Sequence, residues 1–151
     1  MLLGLRSRVP PLWLYLGCLL PDLIDKPLFY GFGPTALIAG TRTFGHTGLF
    51  LIFWVILALI LRLPWSIALA AGLATHFALD IGGELVTGAE SDSSIWLAIF
   101  YPAYGRFPLA HFTTIAEHIA ISAQSAYVVA GEIIGGAILL AAWIKRKLYE
   151  R

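Results

Sequence analysis

Within the stretch Ala74-Thr75-His76-Phe77-Ala78-Leu79-Asp80 an imidazole and a carboxylate stand four residues apart, so a helix puts both on one face. The surroundings are apolar, and ionisable groups at membrane depth are costly enough to mark a functional site by default. Asp22, Asp25 and His46 are the groups that can join this pair; the two aspartates are three residues apart and align on a helical turn. Imidazole nitrogen with carboxylate oxygen suits zinc, manganese or iron, zinc and manganese foremost. Asp22, Asp25, His46, His76 and Asp80 are therefore the candidate metal ligands, enough for one ion with an open position or for two ions bridged by a carboxylate. A divalent ion held there lowers the pKa of bound water toward about 7 and equips it for hydrolysis. Arg42 is the candidate for stabilising negative charge as it develops, and Glu117 for moving protons.

The elements that must gather these side chains follow from composition. The chain is 59% apolar and 13% charged, with a mean hydropathy of +0.82, a balance too apolar for an ordinary soluble domain. An all-α integral membrane protein is expected, one membrane-embedded domain over residues 1–151, built as a bundle of about four membrane helices with an interfacial helix. The lipid bilayer is its first partner. A formal net charge of +1 gives no reason to expect nucleic acid. The single cysteine, Cys18, excludes an intramolecular disulfide framework and reads as a small apolar packing residue. Arg6 and Arg8 precede an apolar run in the manner of a signal peptide, but Leu19-Leu20-Pro21-Asp22 is a poor cleavage site, and the segment is expected to stay.

Residues 9–20 form an apolar run shorter than the roughly 20 residues a perpendicular span needs. Pro21 and Pro27 bracket the acidic pair, and Gly31, Gly33, Pro34 and Gly40 predict an irregular connection up to Arg42. His46 opens the run 47–61, which ends at Arg62-Leu63-Pro64, a break suited to a tight turn into the run 65–81. Small residues fill that second run, among them Ala70, Ala71, Gly72 and Ala74, and let neighbouring membrane helices approach closely. Residues 95–104 read as a short aromatic, interfacial stretch, and residues 119–144 as a long span closed by Lys145-Arg146-Lys147 and Arg151. If the runs after His46 and before Asp80 are antiparallel, His46, His76 and Asp80 lie on one side, with Asp22, Asp25 and Glu117 beside them. Arg62 and the basic tail lie opposite, which the positive-inside tendency makes cytoplasmic, so that the site faces outward.

The ordered set also resembles a family. Leu19-Leu20-Pro21-Asp22-Leu23-Ile24-Asp25, then Arg42-Thr43-Phe44-Gly45-His46-Thr47, then His76 and Asp80 followed by Gly82-Gly83 and Tyr101-Pro102, are similar to the inner-membrane-associated, metal-dependent hydrolases also described as LexA-binding hydrolases. The resemblance covers roughly residues 15–120. It implies metal duty for Asp22, Asp25, His46, His76 and Asp80, a site role for Arg42, and a match of Glu117 to a later glutamate. That family often has a histidine immediately before the arginine, where Thr41 stands here. The resemblance implies a reaction class and no substrate.

Each group also has an ordinary alternative. Asp22 after Pro21 could cap a turn, Asp25 end a helix and His46 cap the next one, while His76 and Asp80 could simply hold two helices together. His111 and His118 belong to no motif, and Glu132 reads as an interhelical hydrogen-bonding group. The leading expectation is a hydrolase of the cytoplasmic (inner) membrane that acts, through water activated by the metal, on a membrane-located or anionic small substrate, a (phospho)ester. The alternatives are a metal-ion or proton transport component, which would need a polar line crossing to Arg62, and a non-catalytic membrane scaffold.

Overall fold

The computed structural model describes residues 10–33, 35, 38–88 and 92–149, with the backbone alone at 142, 143, 146 and 149. Arg6, Arg8, Pro34 and Arg151 lie outside the described residues, as do the side chain of Arg146 and the start of the 9–20 run. Among the described residues all regular structure is helical: α1 (Pro11–Phe32), a 3-10 turn (Phe44–His46), α2 (Gly48–Leu61), α3 (Pro64–Thr87), α4 (Ile95–Ile99), α5 (Ile115–Ser122) and α6 (Ala126–Tyr149). Residues 1–113 and 114–151 form two compact units.

Pro21 and Pro27 do not end the first helix as the sequence suggests. Each removes one helical N–H and crowds the carbonyl four residues back, yet α1 runs through both to Gly33, whose φ of 73° closes it. The reason is tertiary: Gly17, Pro21, Asp25 and Phe29, spaced by four, form one buried stripe along α1. That stripe meets α3 glycine against glycine. A Cβ on Gly17 would stand 2.1 Å from the carbonyl oxygen of Leu69, and one on Gly72 would stand 2.1 Å from that of Leu14. The Trp13 and Trp65 rings meet at 5.3 Å at one end, and Cys18 reaches His76 further along, so α1 and α3 run parallel.

Thr47 caps α2 by accepting from the Phe50 N–H at 3.1 Å, and Arg62, in the left-handed region at φ 53°, turns the chain into Pro64 and α3. The α3 helix continues past residue 81, where the sequence suggests an end. Gly82 and Gly83 cost helix propensity, but the Glu84 carboxylate accepts from Ser94 Oγ and from the Ile95 N–H, both at 2.6 Å, and so ties the last turns of α3 to the start of α4. Ile95 and Ala98 of α4 pack with Phe107 in a small core. Phe107 stacks on Tyr101 at 4.0 Å and meets Phe44 edge-on at 5.1 Å, which backs the 3-10 turn.

The expected single span over 119–144 is two helices in the second unit, α5 and α6, bent by 89° across a short break. Thr114 and Glu117 close α5 as a capping box. The outer faces of the first unit are apolar and exposed; α2 alone presents Leu49, Ile52, Phe53, Ile56, Leu59 and Ile60. Of the described helices α3 is long and apolar enough to cross a membrane, and the bent α5–α6 pair makes a second if it is one span. The other helices are interrupted or short, since α1 carries Asp22, Asp25 and Lys26 and α2 has 14 residues.

Candidate metal centre

The 3-10 turn is built on a buried carboxylate. Asp25, fully buried on α1, accepts the Thr43 N–H at 2.6 Å and the Gly45 N–H at 2.9 Å, so two backbone donors that no helix satisfies are paired by one side chain. Gly45 is needed because a Cβ there would stand 2.8 Å from the Pro21 carbonyl oxygen. The same Asp25 Oδ2 lies 2.7 Å from His46 Nδ1. An ionised carboxylate only accepts, so His46 Nδ1 carries a proton, and in the neutral ring that leaves a lone pair on Nε2. On α3, His76 Nδ1 lies 2.7 Å from the carbonyl oxygen of Cys18, which also can only accept. His76 is thereby held in the same tautomer, with its Nε2 lone pair free.

Those two Nε2 atoms face each other at 3.1 Å. In the neutral rings that contact sets lone pair against lone pair, which is unfavourable unless a proton or a cation lies between them. Two carboxylate oxygens close on the same gap. Asp22 Oδ1 is 3.7 Å from His46 Nε2, and Asp80 Oδ2 is 3.5 Å from His46 Nε2 and 3.7 Å from His76 Nε2. Asp80 Oδ2 is buried and has no hydrogen bond; Arg42 Nε stands 3.3 Å away as an ion-pair contact.

The separations around the two imidazoles are close to those a divalent ion requires. With bonds of about 2.0–2.1 Å, donors at right angles lie about 2.9 Å apart and donors at the tetrahedral angle about 3.4 Å. The observed separations of 3.1 to 3.7 Å extend from within this range to slightly beyond it. Asp22, His46 and His76 each offer one atom within 4.8 Å of the others, a group able to hold a metal ion. Both imidazoles also donate their far N–H to a carboxylate or a carbonyl, the outer arrangement that orients metal-ligating histidines.

Asp22, His46, His76 and Asp80 are thus brought to one gap from α1, the 3-10 turn and α3. Asp25 is not: it sits on the far side of the His46 ring and spends its oxygens on Thr43, Gly45 and His46. Spacing alone aligned Asp22 with Asp25, but the buried stripe of α1 turns Asp25 under the 3-10 turn while Asp22 opens beside it. Arg42 lies over Asp80, its terminal nitrogen 3.4 Å from Oδ1. His76 lies midway along α3 rather than near its end, because the helix runs on to Thr87. Glu117 is in the second unit, where its carboxylate accepts the Thr114 N–H at 3.1 Å. His118 and Glu132 belong to that unit too, and His111 faces Asp92 at 3.6 Å.

Two contributors were not singled out from sequence. Lys26 binds Asp22 Oδ2 at 2.7 Å, a pairing readable in the four-residue spacing. Cys18 acts through its backbone carbonyl, for which its side chain gives no signal. Compared with protein-family models, with curated proteins and with solved structures, the chain matches none.

Proposed function

We propose that this chain is a metal-dependent hydrolase of the cytoplasmic (inner) membrane, acting on a membrane-located or anionic ester, as the family it resembles implies. The observation that carries the reading is the pair of Nε2 lone pairs 3.1 Å apart, each ring fixed by an acceptor on its other nitrogen. Two neutral imidazoles in that attitude are unfavourable unless a cation or a proton lies between them. Asp22, His46, His76 and Asp80 would hold the ion, and zinc or manganese suits two nitrogens with two carboxylate oxygens. A bound dication supplies Lewis acidity and a water acidic enough to lose a proton near neutral pH. Asp25 keeps the His46 lone pair aimed inward, Cys18 does the same for His76, and Arg42 offers donors to negative charge at the rim.

The exposed apolar faces of α1 and α2 and the length of α3 support a membrane bundle of about four helices, in which α1 and α2 complete their spans beside neighbours. Fourteen residues of α2, about 21 Å at 1.5 Å per residue, separate the Arg62 turn from His46. In a hydrocarbon core of about 30 Å the centre then lies in the third farthest from Arg62. With Arg62 cytoplasmic, it opens outward.

Transport is disfavoured by what lies between the centre and Arg62. The α2–α3 groove there is lined by Val55, Ala58, Leu59, Ile67, Ala70, Ala71 and Ala74, with Arg62 at its end, and the nearby Ser66 and Thr75 hydroxyls bond their own helix. Among the described residues of that groove no polar line crosses. Metal analysis of detergent-purified protein beside His76→Ala tests the reading: wild type retains metal through desalting and the variant does not. Equal metal in both would leave the cluster as structural glue.

A further inference from the structure

Each carboxylate that faces the gap gives its other oxygen to a cation. Asp22 turns Oδ1 inward and receives Lys26 Nζ on Oδ2 at 2.7 Å. Asp80 turns Oδ2 inward and has the Arg42 terminal nitrogen 3.4 Å from Oδ1, with the Arg42 Nε 3.3 Å from Oδ2 itself. In two-metal hydrolases a bridging carboxylate gives one oxygen to each ion, and the ions lie about 3.5–4 Å apart. Here the outer oxygens that would bind a second ion already face an ammonium and a guanidinium. A second dication would have to displace both or stand against their like charge.

We propose that the centre holds a single metal ion, that Lys26 and Arg42 stand in for a second one, and that these two side chains receive the anionic part of the substrate, a phosphodiester monoanion. This rests on the metal-centre reading above and adds nuclearity and substrate charge to it. The charges on the page select the monoanion. Asp22, Asp25 and Asp80 contribute three negative charges, Lys26 and Arg42 two positive ones, and both imidazoles are neutral as ligands. With a phosphate oxygen bound in place of water or hydroxide, one dication therefore leaves the protein side of the site with a single net positive charge. A phosphodiester neutralises it, whereas a phosphomonoester, doubly charged above its second pKa near 6, leaves an excess negative charge.

Geometry gives the two cations access. The Lys26 and Arg42 side chains are 40% and 41% exposed, against 1% for His46, so they form the rim and the imidazole the floor. Lys26 has three donors, of which the Asp22 contact uses one. Arg42 has five, and its contacts with Asp80 at 3.3 and 3.4 Å are longer than the usual 2.7–2.9 Å of a charge-assisted bond. Two parallel guanidinium donors match two phosphoryl oxygens, and the ammonium supplies a point charge from the opposite carboxylate.

The test uses the full chain in detergent, loaded with Mn2+. Metal content is measured at saturation, and binding of dimethyl phosphate and of methyl phosphate is then followed at pH 8 by paramagnetic broadening of the phosphorus resonance. Expected are one ion per chain and binding of the diester about tenfold or more tighter than the dianionic monoester. Lys26→Met and Arg42→Met should each weaken the diester about tenfold, the worth of one charge-assisted hydrogen bond, with the ion count unchanged at saturating metal. If Arg42→Met does not fold, Arg42→Lys, which keeps the charge and loses the fork, should weaken the diester about threefold. Two ions per chain, tighter binding of the monoester, or diester binding indifferent to both positions would overturn the proposal. A wild-type chain that binds no manganese and no zinc would instead overturn the metal centre itself, and the stoichiometry reads that before any phosphate is added.

Discussion

Replacing Asp25 with asparagine separates a residue that holds a ligand from one that is a ligand. Asp25 Oδ2 receives the Thr43 N–H and His46 Nδ1, and Oδ1 receives the Gly45 N–H. Asparagine has one acceptor oxygen. Set at the Oδ2 position, it keeps two of the three donors but points its own NH2 at Gly45. One buried N–H is then unpaired, at about 1–3 kcal/mol, and two charge-assisted bonds become neutral ones, at about 1 kcal/mol each. The sum, about 3–5 kcal/mol, is a large part of the 5–15 kcal/mol typical of a folded domain. At the centre the variant keeps an acceptor for His46 Nδ1 but makes it neutral, a change in the support of a ligand that lowers metal affinity by about 10–100-fold. The assay is competition for Zn2+ with a chromophoric chelator, run beside thermal unfolding of the same detergent-purified samples. Expected are weaker binding in that range, an unchanged ion count at saturation and a lower Tm. Affinity within about twofold of wild type would show that Asp25 does not orient His46. Complete loss of metal with the fold intact would make Asp25 a direct ligand, as its sequence spacing first suggests.

Three more outcomes follow from named contacts. Arg42→Lys should leave metal content near wild type while turnover of the true substrate falls about tenfold, whereas Asp80→Asn should lose metal and activity together; metal stripped by Arg42→Lys would make the arginine a support of Asp80 alone. Gly72→Val should unfold or severely destabilise the chain, since its Cβ meets the Leu14 carbonyl oxygen at 2.1 Å, while Gly131→Ala inside α6, with nothing within 4 Å, should stabilise by about 0.5–1 kcal/mol, both read by thermal unfolding. With Cys18 replaced by alanine, Asp92→Cys should react with an impermeant thiol reagent in intact cells, and labelling only after permeabilisation would reverse the proposed orientation.

Much of the centre was legible because its chemistry lies in side chains whose spacing is local. His76 and Asp80 share a face by helical period alone, and the polar break at Arg62-Leu63-Pro64 is enough to fold α2 back along α3 and return His46 to their level. Helical character and lipid-like exposure likewise follow from composition. What the sequence misjudged were the places where tertiary packing overrides a local signal. Pro21, Pro27, Gly82 and Gly83 are helix breakers by propensity, but the buried stripe of α1 and the clasp of Glu84 on α4 offset their cost. The mostly apolar run 119–144 hid a sharp bend at Ser122-Ala123-Gln124-Ser125, because mean hydropathy carries no record of backbone direction. The division of labour between Asp22 and Asp25 could not be read either. Both are aspartates on one turn, about 60° apart around the helix if that turn is regular, and only the arrival of the 3-10 turn over one of them decides which carboxylate is spent on backbone N–H groups and which is left to face the histidines. The Cys18 carbonyl lies furthest from sequence inference, since its part in holding His76 depends on a backbone atom that every residue has and on the Gly17–Gly72 contact that lets two helices come close enough to use it.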